Sequence, residues 1–196
     1  GRVGALSPYA YCAGDPVNCV DPDGRDVCPL KAPHQVAFAG GRAGHSAMLI
    51  QDSNGIWKLY SKNGTKSGFS GLDSKDKGDQ YGVGGWKSVE DFFMDPMFNT
   101  GEDGLPEYTN GYIISTSSEQ DAQAAQTMSE ELDDGYNLLW SNCVNAVQNA
   151  LESIKIDSGS GFLPNDVYES IKENNKGTEV ILFKPVVITP EENKQQ

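Results

Sequence analysis

The chain has 196 residues, enough for one domain with a buried core and irregular flanks. Asp and Glu number 28 against 15 Lys and Arg, and the formal charge of −13 should repel nucleic-acid phosphates. We therefore expect no nucleic-acid partner. Because there is neither an apolar run of about 20 residues nor a cationic amphipathic helix, we expect no stable membrane association. We also expect a monomer.

The first 34 residues are rich in turn-forming Pro, Gly, Asp and Asn, and they predict an irregular leader over residues 1–34. Cys12, Cys19 and Cys28 lie in this leader, without CxxC spacing or a histidine cluster that would indicate zinc. Their spacing leaves open one disulfide or only free thiols. We expect no metal and no other cofactor. His34, in KAPHQV, is predicted to be structural.

Within the leader, PYAYCAGDPVNCVDPDGR resembles the end of the Rhs/YD-repeat core over about residues 8–25. That pattern reads Tyr-x-Tyr, then Asn-Pro-Val, then Asp-Pro-x-Gly, and Asp15 stands in place of the usual Asn. The other matching residues are Tyr9, Tyr11, Pro16, Val17, Asp21, Pro22 and Gly24. Rhs cores resemble large shells that carry a variable toxin at the C-terminus. The resemblance implies that an effector follows after about residue 30. It would be secreted or delivered into a target cell as part of a larger protein, with an immunity protein as its partner.

The stretch HSAMLIQDSNGIWKLYS predicts a β-hairpin, because two apolar runs flank the turn-forming residues 52–55. A turn centred on Ser53 gives three opposed pairs on one face of the sheet: His45 with Ser61, Ala47 with Leu59, and Leu49 with Trp57. A slip of one residue would instead place Lys62 opposite His45, and Asn63 is also within reach.

The rest of the chain alternates loops, helices and strands. The predictions are a loop at 62–86, a helix at Trp86–Met97, a strand at Tyr108–Ser115, a helix at 118–133 capped by Ser118 with Asp121, a helix at 142–154, a helix from Pro164, and a closing strand in TEVILFKPVVI. The expected fold class is α+β, a small antiparallel sheet packed against helices. The effector domain is predicted over residues 35–188, with a flexible tail at 189–196.

Cys143 lies in the first turn of the predicted 142–154 helix, directly after Asn142. Free backbone N–H groups and the helix dipole favour an anion there, so the thiol should lose its proton more readily. Its own N–H can donate to a developing oxyanion. The alternative is a small buried apolar residue, but Val144 and Val147 already supply the apolar face. We therefore predict that Cys143 is a nucleophile.

His45 is one of two histidines and follows Gly44, which permits close approach of another group. A thiol nucleophile needs a base of near-neutral pKa, and imidazole meets this need best. A structural histidine is the alternative, and the setting of Cys143 favours the base. Ser61 is the first candidate for the residue that orients the ring.

Together, GHSAMLI and the later YNLLWSNCVNAV resemble the circularly permuted papain-like group, which includes permuted NlpC/P60 proteins and lecithin–retinol acyltransferase-like enzymes. The matching residues are Gly44, His45, Tyr136, Leu138, Asn142 and Cys143. The resemblance covers roughly residues 40–155. It implies a permuted papain-like fold, Cys143 as nucleophile with His45 as base and then acid, and Asn142 and Tyr136 at the substrate or oxyanion site. The acyltransferase branch has histidine or phenylalanine where this chain has Asn145, Ala146 and Ser61.

The two resemblances together imply an antibacterial effector that cuts an amide in the peptide of the cell wall. Three alternatives stay open. The same thiol chemistry serves an acyltransferase or lipase, and it also serves a protein deamidase or protease inside a target cell. A non-catalytic binding module is the alternative of a different class.

Overall fold

The computed structural model describes residues 25–33, 44–63, 79–101, 104–134, 136 and 141–182. These residues form the predicted α+β class, an antiparallel sheet packed against helices. The elements in chain order are β1 (Arg25–Ala32), β2 (His45–Gln51), β3 (Trp57–Ser61), β4 (Gln80–Trp86), α1 (Val89–Phe93), β5 (Asn110–Thr116), α2 (Ser118–Asp133), α3 (Cys143–Ser153), α4 (Pro164–Asn174) and β6 (Thr178–Ile181).

The six strands make one open sheet in the order β4-β3-β2-β1-β5-β6, and every neighbouring pair is antiparallel. Side chains alternate between its two faces. Met48 and Ile50 of β2 share a core with α2, α3 and α4, whereas Ala47 and Leu49 share a core with α1. Because both faces are covered, six of the seven residues of β2 are buried. This strand carries the candidate site at its first residue.

The predicted leader is wrong for Arg25–Ala32, which form β1 between β2 and β5. Pro29 favoured a loop in the sequence because proline cannot donate to a sheet ladder. The β1–β5 pairing is recorded on either side of Pro29, at Val27 and Leu30, but not at Pro29 itself. Burial of the apolar side chains of β1 outweighs the local signal. Within the described residues, the sheet therefore begins at Arg25 and not after residue 34.

The predicted loop at 62–86 is wrong for Gln80–Trp86, which form β4 on the edge of the sheet next to β3. Its three glycines disfavour a strand locally, and tertiary pairing overrides them. Trp86 therefore ends a strand and does not begin the predicted helix. That helix is shortened to α1, whose N-cap is Ser88.

The three longer helices form where the sequence predicts them. The cap of α2 differs, because Ser117 forms the capping box with Gln120 in place of Ser118 with Asp121. Asp121 is instead turned inward, where it accepts a hydrogen bond from Thr116. Within the ranges described, no helix is long and apolar enough to cross a membrane.

Several predictions fall on residues outside the described ranges. They concern the Rhs-like motif with Cys12 and Cys19, the histidine His34, the matching residue Leu138, the end of the closing strand and the tail at 189–196. The described cysteines, Cys28 and Cys143, are free thiols.

Candidate functional site

The start of α3 is fixed by its own side chains. Asn142 Oδ1 accepts hydrogen bonds from the backbone N–H of Val144 at 2.8 Å and of Asn145 at 3.1 Å. The Asn145 side chain accepts from the Asn142 N–H at 3.3 Å, which completes a capping box. Cys143 is therefore the first residue of the helix. The side-chain oxygen of Asn142 serves as the cap of the helix. The predicted oxyanion role of Asn142 stays a prediction, and it would fall to the side-chain nitrogen.

The sulfur of Cys143 is buried, with 6% of the residue exposed. Burial raises the pKa of this thiol above its ordinary value, and four groups oppose the rise. They are the backbone N–H groups of Ser46, Val144 and Cys143 itself and the ammonium of Lys62, all of which favour the negative charge of a thiolate. The prediction that the helix start makes this thiol lose its proton more readily is therefore wrong for the resting protein, in which the thiol is neutral, although nearby groups can stabilise negative charge.

His45 is held at the first position of β2, and the preceding Gly44 has a φ of +73°. A Cβ atom at Gly44 would come within 2.9 Å of Asn165 Oδ1 and 3.2 Å of the Ala32 carbonyl oxygen, so the predicted close approach is confirmed. His45 is only 4% exposed, and burial lowers its pKa to about 4. At neutral pH the ring is therefore uncharged, which is the form that accepts a proton, but its pKa lies well below the near-neutral value expected of the base.

A buried hydrogen-bonded network holds one side of the His45 ring. Nε2 lies 3.0 Å from Ser61 Oγ, which in turn lies 3.2 Å from the hydroxyl of Tyr108 and 3.3 Å from Asn63 Oδ1. The predicted contact between Ser61 and His45 is therefore present. With Nε2 engaged, Nδ1 is the ring nitrogen left over for a thiol or a substrate.

The hairpin register differs from the prediction by two residues. Leu49 pairs with Leu59, and Trp57 pairs with Gln51 in place of Leu49. A shift of two residues leaves every side chain on its predicted face. For this reason Ser61 still reaches His45, as a diagonal neighbour. The one-residue slip that would put Lys62 opposite His45 does not occur.

Tyr108 belongs to the network but was not predicted from the sequence. It is 1% exposed, its ring centroid lies 6.0 Å from that of His45, and its backbone N–H donates to Asn99 Oδ1 at 2.7 Å. Burial raises the pKa of its hydroxyl well above the ordinary value. The phenol therefore stays protonated and can donate to Ser61. Nothing in its local sequence distinguishes it from a core tyrosine.

The side chains of His45 and Cys143 both lie at the start of β2, but on different sides of this strand. The backbone N–H of Ser46, the residue that follows His45 in the chain, favours the thiolate form of Cys143. Cys143 packs in the core that contains Met48, whereas the His45 ring contacts Ser61 and Tyr108. Among the described residues, no hydrogen bond joins the two side chains. A proton transfer between them requires a side-chain rotation or a bridging water.

Two further groups act on the thiol. Tyr136 has a pKa raised first by burial and then by the negative charge of Cys143 when ionised, so it lies near the sulfur. Its part in substrate or oxyanion binding stays a prediction.

The sequence indicated Lys62 only as a possible partner of His45 in a shifted register. It is fully buried, and its charge lowers the pKa of the Cys143 thiol.

Across the described ranges, no group of three or more His, Cys, Asp or Glu side chains is arranged to hold a metal ion.

No protein-family model, no curated protein and no solved structure matches this chain.

Proposed function

We propose that this chain carries an Rhs-associated effector domain that acts as a cysteine-dependent hydrolase and cuts an amide bond in the peptide of the bacterial cell wall. One observation carries the proposal. Cys143 is the first residue of α3, and the backbone N–H groups of Cys143, Val144 and Ser46 lower the pKa of its thiol against the effect of burial. Such N–H groups stabilise a thiolate, and the same donors lie next to the position of an oxyanion formed on attack.

In the proposed reaction, the thiol proton of Cys143 passes to the neutral imidazole of His45. The sulfur then attacks the carbonyl carbon, and a tetrahedral oxyanion forms beside the N–H groups at the start of α3. When the C–N bond breaks, the imidazolium gives its proton to the leaving amine. Water, deprotonated by His45, then hydrolyses the thioester and restores the thiol. Ser61 and Tyr108 hold the ring throughout.

A permuted papain-like arrangement is part of the proposal. It is supported by a helix that begins with the cysteine, by packing of that helix on β2 of an antiparallel sheet, and by a histidine that opens β2 and precedes the cysteine in the chain. The choice of a cell-wall substrate is supported by the resemblances given above, and by a net charge of −13 that disfavours lipid and nucleic-acid surfaces.

The test is expression of the domain in a bacterium, directed either to the periplasm or to the cytoplasm. We expect lysis only from the periplasm, with cleaved wall peptides detectable by mass spectrometry. Cys143→Ala should abolish both effects at equal protein level, and His45→Asn should reduce the cleavage rate by about 10²–10⁴-fold. Cys28→Ala is the matched control, because Cys28 is a buried thiol in the other core, and it should remain active.

Two results would contradict the proposal. Harm restricted to the cytoplasm would exclude the cell wall and favour a protein deamidase or protease. A Cys143→Ala variant as toxic as the wild type would remove thiol chemistry altogether and favour the binding module.

A further inference from the structure

We propose that Lys62 is a positioning residue for Cys143, because its buried ammonium joins α2 to the segment before α3 and supplies the counter-charge to the thiolate. This inference rests on the thiol chemistry proposed above. It assigns a role in that chemistry to a residue outside the Cys–His–Ser set.

Among the described residues, Lys62 is a lysine with none of its surface exposed, and this burial lowers the pKa of its ammonium from the ordinary value. A buried ammonium is costly unless its protons are hydrogen-bonded. Lys62 Nζ donates to Ser141 Oγ at 2.5 Å and to the backbone carbonyl of Glu131. Glu131 lies in the last turn of α2, where the carbonyl end of the helix dipole favours a cation. Ser141 lies directly before Asn142, the N-cap of α3.

The position of Lys62 follows from strand alternation. Ser61 ends β3, and successive side chains at the end of a strand point to opposite faces. Ser61 contacts His45, and Lys62 contacts α2 and Ser141 on the face that carries α3. The start of β2 shows the same division, because His45 contacts Ser61 while the backbone N–H of Ser46 lowers the pKa of the Cys143 thiol. In each of the two pairs, His45–Ser46 and Ser61–Lys62, the first residue thus belongs to the imidazole network and the second acts on Cys143.

Charged groups from several elements face this pair. Lys62 is faced by Glu131, Asp79 and Asp134 as well as by Cys143. Cys143 is faced by Lys62 and by the phenols of Tyr108 and Tyr136, and the residue before its neighbour Ser46, His45, is neutral above about pH 5. The phenols are protonated at neutral pH, so Lys62 supplies the positive charge among these groups. Loss of that charge removes the cation that opposes the effect of burial on the thiol.

A merely structural lysine would tie α2 to α3 without acting on the thiol. The two roles are separated by Lys62→Met, which keeps the length of the side chain and removes the charge, and Lys62→Arg, which keeps the charge. Ser141→Ala is a third variant, because it deletes one hydrogen bond and retains the ammonium.

The readout is the rate at which iodoacetamide alkylates Cys143 between pH 6 and pH 10, followed by mass spectrometry of its peptide so that the other cysteines do not interfere. For Lys62→Met we expect a profile displaced to higher pH by about one unit, and alkylation about tenfold slower at pH 7. Lys62→Arg should stay within about threefold of the wild type, and Ser141→Ala should lie between the two. A folded Lys62→Met protein with the wild-type profile would overturn the inference.

A second measurement keeps the test valid if Lys62→Met does not fold. In protein labelled with ¹³C at the lysine ε-carbon, the Lys62 signal is titrated by NMR in the wild type and in Cys143→Ala. Coupling between two sites is reciprocal, so the thiolate should raise the Lys62 pKa, and the variant should titrate at lower pH. Identical titrations would overturn the inference.

Neither measurement contains a substrate, so the two proposals can fail separately. If Lys62 and Cys143 shift each other's titration but no wall peptide is cleaved, the proposed function is refuted and the role of Lys62 stands. Cys143-dependent cleavage without coupling would refute the role of Lys62 alone.

Discussion

His45 Nε2 lies 3.0 Å from Ser61 Oγ although the two residues are not partners in the strand register. The recorded β2–β3 pairing ends at Met48 and Tyr60, and the His45–Ser61 bond closes the hairpin beyond that point. Both residues are buried, and the hydroxyl of Tyr108 forms a hydrogen bond with the Ser61 hydroxyl. The bond therefore engages Nε2 of the imidazole and leaves Nδ1 as the other ring nitrogen.

Ser61→Ala should destabilise the protein by about 1–3 kcal/mol, because it leaves the His45 nitrogen and the Tyr108 hydroxyl buried without this partner. Urea unfolding at pH 7 measures this loss. Ser153→Ala is the control, since that serine is exposed at the end of α3, and its effect should stay within about 0.5 kcal/mol. A Ser61→Ala protein as stable as this control would show that the network contributes nothing to folding.

Asn142→Ala should cost about 1 kcal/mol of stability and should also slow alkylation of Cys143, because the cap sets where α3 begins. Ser117→Ala removes the corresponding cap of α2 and is the matched control. It should cost a similar free energy of unfolding without changing the reactivity of Cys143. If Cys143 reacts equally fast in both variants, the cap of α3 has no effect on the reactivity of the thiol.

Acid should weaken the fold through His45. Its pKa is about 4 in the folded protein against an ordinary 6.5, so between these values the unfolded chain binds a proton that the folded chain does not. The His45 contribution to stability therefore falls as pH drops from 6.5 to 4, by about 3 kcal/mol in full. Urea unfolding at pH 7 and pH 4.5 should show that His45→Asn gains stability in acid relative to the wild type. If the unfolding free energies of the two proteins change equally with pH, His45 is not buried as a neutral ring.

Asp121 should act in the opposite sense over almost the same range. Burial raises its pKa from 3.8 to about 6, and one of its oxygens, Oδ2, is buried with no hydrogen-bond partner. The folded chain therefore holds a proton that the unfolded chain releases, and this stabilisation is lost as pH rises through 6.

The variant Asp121→Asn tests this directly, because it keeps an acceptor for Thr116 and never ionises. Its stability relative to the wild type should improve as pH rises from 4.5 to 7. Because the His45 and Asp121 effects oppose each other, the wild type should vary less with pH than either variant. A stability difference between Asp121→Asn and the wild type that does not change with pH would rule out this ionisation.

The sequence was sufficient for the parts of the site that depend on local structure. The cap at Asn142 and the apolar spacing after it place Cys143 at a helix start, and strand alternation places Ser61 on the face of His45. Both depend on residues within a few positions of each other. The register itself was two residues wrong, because the choice of turn depends on pairing that the hairpin alone does not specify.

The rest of the site depends on contacts between distant segments. Lys62 meets Glu131 and Ser141, and Tyr108 meets Ser61, across separations that no local pattern encodes. β1 and β4 were missed for a related reason: Pro29 and the glycines of β4 oppose a strand locally, and burial or pairing in the sheet overrides them.

The place of β1 limits where the chain can be cut. A protease acting after Ala32 would detach the strand between β2 and β5, and both neighbours would then present open edges able to pair with other chains. Processing that frees an intact domain must therefore occur on the N-terminal side of Arg25. A cut a few residues too late would yield an aggregating fragment in place of an active one.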